Sequence, residues 1–194
     1  MHTAQSKVAI VALVTALAFA LPVIIEGVDV RVDHDKTFDF TPMRTWGWNP
    51  DGAGDVKMAR SQQDEPEVMK KKAEPFILDA VAKEMPGRGL QLAASQPDLT
   101  VTYYLLLTLN TTAQTMGQFL PPSTSWALPP FLQSTQSLEM MNQGALVLDL
   151  SAKGNVVWRG VAQAKIAFDA DDKKREALLR EGVRDLLKRY PPKK

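Results

Sequence analysis

"GALVLDLSAKGNVVWRGVAQAKIAF", residues 144–168, decides the fold class of this chain. Leu146, Leu148 and Leu150 fall on one side of an extended backbone, and Ala152-Lys153-Gly154 offers a three-residue turn with glycine at the left-handed position. The return segment places Val156, Trp158, Gly160, Ala162, Ala164, Ile166 and Phe168 on one side, and Val157, Arg159, Val161, Gln163, Lys165 and Ala167 on the other. The first set carries no charge, so the pattern predicts a β-hairpin with Trp158 in the core. An indole beside a guanidinium could form a recognition site, but alternation sends the two side chains to opposite faces. A turn at 152–154 sets Arg159 opposite Val147 and diagonal to Asp149, within reach of a cross-strand charge pair. Gly160 leaves room for the indole or a neighbouring side chain.

"PDLTVTYYLLLTLN" (97–110) alternates clearly, with Leu99, Val101, Tyr103, Leu105, Leu107 and Leu109 on one face, and predicts a central strand. Val28, Val30 and Val32 alternate with charged residues as a first strand, and Arg44 to Trp48 fits a short second one. "DGAGDVKMARSQQDEP" (51–66) is polar and rich in Gly and Asp and reads as a surface loop. Helical spacing runs from Glu65 to Met85; Pro75 either kinks this helix or starts a second, so the best-formed part is expected over 75–85. The last segment, "DADDKKREALLREGVRDLLKRYPP" (169–192), has acids at its start and bases at its end, as a helix dipole favours. The expected architecture is α+β: a mainly antiparallel sheet with two amphipathic helices on one face, in the order ββαβββα.

Composition sets further bounds. The 194 residues suit one domain, and a hydrophobic content of 45% suffices for a core. With 23 Lys+Arg against 22 Asp+Glu, no global field draws the chain to nucleic acid. The absence of cysteine excludes disulfides, thiolate metal sites and a cysteine nucleophile. Residues 1–20 carry Lys7, an apolar run from Val8 and the Ala18-Phe19-Ala20 pattern of a signal-peptidase site, so cleavage after Ala20 and a single domain over 21–194 are expected. The rival is an uncleaved anchor over residues 8–25. Either reading puts the domain outside the cytoplasm, in the periplasm or extracellular space.

Several short marks occur together and in order: Asp39-Phe40, Arg44-Thr45-Trp46 leading into Trp48, Pro97-Asp98-Leu99, Trp158-Arg159-Gly160 and the closing "RYPP". In these the mature chain resembles the bacterial domain of unknown function numbered 4136. The resemblance implies an exported envelope domain without an established activity, many of whose members resemble lipoproteins. This chain departs there, since it has no cysteine for lipid attachment. The resemblance brings no catalytic residues with it.

The chemistry-bearing residues are few. Once His2 leaves with the leader, His34 is the only imidazole, and no G-x-S-x-G elbow accompanies it. One histidine is too few for a zinc site. Asp33, Asp35 and Asp39 form one acidic group and Asp169, Asp171 and Asp172 another; either could serve a calcium site or a hydrolase, but turns and helix starts favour such residues for capping. Gly52 and Gly54 in "DGAGD" lack the lysine of a phosphate loop, and the basic runs lack interleaved aromatics.

The best candidate is the Pro-rich segment 111–143, with Met116, Phe119, Leu120, Trp126, Leu128, Phe131 and Leu132 in a stretch whose prolines oppose regular structure. Exposed, these residues make an interaction surface; folded back, they cover the open face of the sheet. The function expected is an envelope binding or interaction module that is not an enzyme and needs no cofactor. Its partner would be an envelope protein, a lipid or a cell-wall component. The alternatives are a structural or stress-related envelope protein and, last, an Asp-dependent hydrolase or metal-binding enzyme.

Overall fold

The computed structural model describes residues 27–59, 66–108, 143–165 and 171–192. Its strands are β1 (Asp29–His34), β2 (Thr45–Trp48), β3 (Gly54–Ala59), β4 (Gln91–Leu92), β5 (Leu99–Thr108), β6 (Gln143–Ala152) and β7 (Asn155–Lys165). Two helices, α1 (Pro66–Glu84) and α2 (Asp172–Leu187), and a 3-10 turn at Pro86–Arg88 complete the described elements. The expected leader and the Pro-rich candidates, Met116 to Leu132, lie outside the described residues.

The class is α+β, but the sheet is mixed rather than mainly antiparallel. Its path is β1-β7-β6-β5-β2-β4, with β3 also on β5. The β1-β7, β7-β6 and β6-β5 pairs are antiparallel; β2 and β3 run parallel to β5, and β4 parallel to β2. The reason is the connection: between β3 and β5 the chain passes through a helix of 19 residues, which returns it to the starting end, as a parallel pair requires.

The order ββαβββα is corrected by two added strands, β3 and β4. The expected loop contains β3, whose Asp55 and Lys57 make a salt bridge while Val56 is buried between them. Gly54 fits a close approach, because a Cβ there would lie 2.3 Å from the Tyr103 ring. On β5 the partners of Trp48 and Gly54 are Val101 and Tyr103, so 49–53 loops out while β5 advances by two residues. Pro75 is inside α1, which continues through it; it is exposed there.

The hairpin forms with a different register. Ala152 pairs with Asn155, leaving a two-residue turn in which Lys153 (φ 50°) and Gly154 (φ 80°) are both left-handed. A bulge between Leu150 and Ser151 then shifts the ladder, so Arg159 faces Asp149 rather than Val147.

Trp158, Leu148, Leu150, Val101 and Tyr103 form one core with Ile77 and Val81 of α1 and with Val183, Leu186 and Leu187 of α2. Gly160 serves the close fit expected of it: a Cβ would stand 2.5 Å from the Trp158 ring and 2.7 Å from Leu186. Tyr103 donates its hydroxyl to Glu74 at 2.6 Å, and burial followed by that carboxylate pushes the phenol well above its usual range. Asp79 of α1 accepts from Lys83 and from Arg180 of α2, and Arg180 also lies 5.7 Å over the Phe76 ring. The opposite sheet face is buried as well, at Leu106, Ala145, Val147 and Val161.

Candidate functional site

The residues quoted for the family resemblance converge at one end of the sheet. Asp98, just before β5, accepts from the backbone N–H groups of Arg44 and Thr45, both at 2.9 Å, and from the Thr45 hydroxyl at 2.8 Å. These donors, the Arg44 N–H first, hold its carboxyl below the usual range. The clasp fixes where the 35–44 segment enters β2.

That segment carries Phe38 and Phe40, and Tyr190 meets them just beyond α2. The rings of Trp158 and Tyr190 are 6.2 Å apart, those of Tyr190 and Phe40 5.8 Å, and those of Phe40 and Phe38 4.8 Å, all edge to face. His34 joins Phe40 at 6.0 Å. Burial pushes the Tyr190 phenol up to about 12, with Arg44 and Asp98 acting in opposite senses upon it.

Over these rings lies a groove of about 820 Å³, lined by His34, Lys36, Phe38, Asp39, Phe40, Thr41, Met43, Arg44, Arg88, Gly89, Tyr190, Pro191 and Pro192. Arg44 Nη1 donates to the carbonyls of Thr41 at 2.6 Å and Met43 at 2.8 Å. Arg88 reaches the groove from the 3-10 turn, with Nη2 3.7 Å from Glu84. Gly89 (φ 80°) ends that turn in a conformation that favours glycine.

The acidic groups do local work. Asp33 accepts from the His34 N–H, Asp35 from the Thr37 N–H and hydroxyl, and Asp39 from the Thr41 N–H. Asp171 caps α2 by accepting from the Lys174 N–H at 2.7 Å. Asp169 lies outside the described residues. Among the described residues no three His, Cys, Asp or Glu side chains gather as metal ligands, and no helix is long and apolar enough to cross a membrane.

Trp158 is fully buried, and Arg159 forms a two-pronged pair with Asp149 on the other face: Nε to Oδ1 and Nη2 to Oδ2, both 2.6 Å. Phe38, Phe40, Arg44, Arg88 and Tyr190 were not candidate site residues on sequence grounds, because they come from three distant segments. The available signal was the aromatic content of "TFDF" and of "RYPP".

The fold is an α+β sandwich of one mixed sheet and two helices. A family described as a domain of unknown function, DUF4136, matches residues 30–192, and the chain belongs to that family. A DUF4136 family protein from Bacteroides thetaiotaomicron is 17% identical, with 85% of this chain and 96% of that one covered, at a TM-score of 0.47. A PDZ domain protein from Parabacteroides distasonis is 12% identical over 87% of this chain, at a TM-score of 0.48; the match spans 37% of that longer protein. PelC from Paraburkholderia phytofirmans, a dodecamer, is 8% identical over 82% of this chain and 96% of its own, at 0.39. No curated protein matches the chain in sequence.

Proposed function

We propose that this chain is an exported, non-enzymatic binding module of the cell envelope, and that the groove beside Phe40 and Tyr190 is its binding surface. The observation that carries the reading is the lining: aromatic rings together with cationic groups, in a concavity of about 820 Å³. Small-molecule sites are commonly concave, mostly apolar and supplied with a few polar groups, over a range of about 300–1,000 Å³. The leader pattern of residues 1–20 supports export.

The test has two parts. Fractionation of cells expressing the full chain is expected to recover it outside the cytoplasm; cytoplasmic recovery removes the export reading. A thermal-shift screen of the full chain against neutral and acidic small molecules is expected to find a saturable ligand. Thr41→Trp, which adds bulk at an exposed position of the groove, is expected to abolish that shift while the unliganded melting temperature stays unchanged. No ligand, or equal binding by the variant, removes the groove as the binding surface.

A further inference from the structure

We propose that the groove selects acidic amphiphiles: detached small molecules with one phosphate or carboxylate head and an apolar chain or ring as body. This rests on the binding-module reading and names its ligand class. The groove lining holds Lys36, Arg44 and Arg88 against one carboxylate, Asp39. The whole chain has a formal net charge of only +1, so this cationic excess is local.

Among the described residues, neither Lys36 nor Arg44 is in an ion pair. The two carbonyls that hold Arg44 Nη1 orient the guanidinium without neutralising it, and the carboxylate that acts on its charge, Asp98, is not part of the groove lining. Arg88 stands 3.7 Å from Glu84, and its buried Nε has no hydrogen-bond partner. An acidic oxygen is the strongest acceptor for guanidinium N–H groups that are open to the groove. Next to these donors, Phe38, Phe40 and Tyr190 hold one another edge to face and offer a rigid apolar bed. Cations beside rings in a concavity fit a head joined to a body. A concave wall also suits a molecule that has left its bilayer better than the flat surface of an intact one, which amphipathic helices meet with an extended apolar face.

Calorimetry on the full chain tests the proposal, with dodecyl phosphate and dodecanoate below their micellar concentrations as probes. Saturable one-to-one binding is expected, at least tenfold weaker for methyl dodecanoate and for inorganic phosphate. Arg44→Gln and Arg88→Gln are each expected to weaken binding at least tenfold with little change in melting temperature, and Arg88→Lys to retain more affinity than Arg88→Gln. Equal affinity for the methyl ester overturns acid selection while leaving the groove a binding surface. Equal affinity for inorganic phosphate overturns the requirement for an apolar body. Co-sedimentation with anionic phospholipid vesicles, without binding of either detached probe, overturns the proposal in favour of a membrane surface. Absence of all binding overturns the ligand class, and the neutral arm of the thermal-shift screen then decides separately whether the module reading survives.

Discussion

Arg159 and Asp149 are each 2% exposed at their side chains, so both charges have left water and each depends on the other. Burial raises the Asp149 carboxyl above its ordinary range, and the guanidinium opposes that rise. Removing one partner is therefore worse than removing both: Arg159→Met is expected to cost about 3–5 kcal/mol, and Arg159→Met with Asp149→Leu to recover much of that loss. Urea denaturation of the two variants beside the parent checks the order. Asp98 works in the opposite sense, because its carboxyl lies below the ordinary 3.8 while the chain is folded. The stability it contributes is fully present above 3.8 and is lost as pH falls through the lowered value. Asp98→Asn is expected to flatten the acid limb of stability against pH, read from melting temperatures between pH 2 and 6, chosen to span about that window. An unchanged acid limb would show that the clasp on Arg44 and Thr45 contributes nothing to folding.

At the element scale, the turn between β6 and β7 places Lys153 at φ 50°, where a side chain with a Cβ is disfavoured and asparagine or glycine is preferred. Lys153→Asn makes the favoured Asn-Gly pair and is expected to stabilise the fold on the order of 0.5–1 kcal/mol, visible as a higher melting temperature. The hairpin, β5 and both helices were legible because long apolar periodicities announce them. β3 was not, since glycine, aspartate and lysine mask Val56 in a stretch whose partner is remote. The register also escaped the sequence: the bulge after Leu150 moves Arg159 opposite Asp149, and nothing local to the turn marks that irregularity. Parallel pairing on β5 follows from the α1 crossover, which was recognised as a helix while the strand before it was read as a loop.

For the molecule as a whole, α2 closes the core. Val183, Leu186 and Leu187 are completely buried, each worth about 1.5–3 kcal/mol of burial. Their sum is comparable with the whole stability of an ordinary domain, about 5–15 kcal/mol. A chain ending before Asp172 is expected to lose its cooperative thermal transition, monitored by near-ultraviolet circular dichroism. The groove belongs to this scale too, because Phe40, Arg88 and Tyr190 meet only after the sheet and α2 are in place, and no single segment advertises them. The pairing of Asp29 with Gln163 adds a constraint in time. When a chain is delivered with its amino end first, whether from a ribosome or through a pore, β1 emerges early and must wait for β7, its described sheet partner, before the ladder can close. Closure of that edge of the sheet is thereby deferred until almost all of the domain has been delivered, whereas β2, β3, β5 and β6 can pair with one another before β7 emerges.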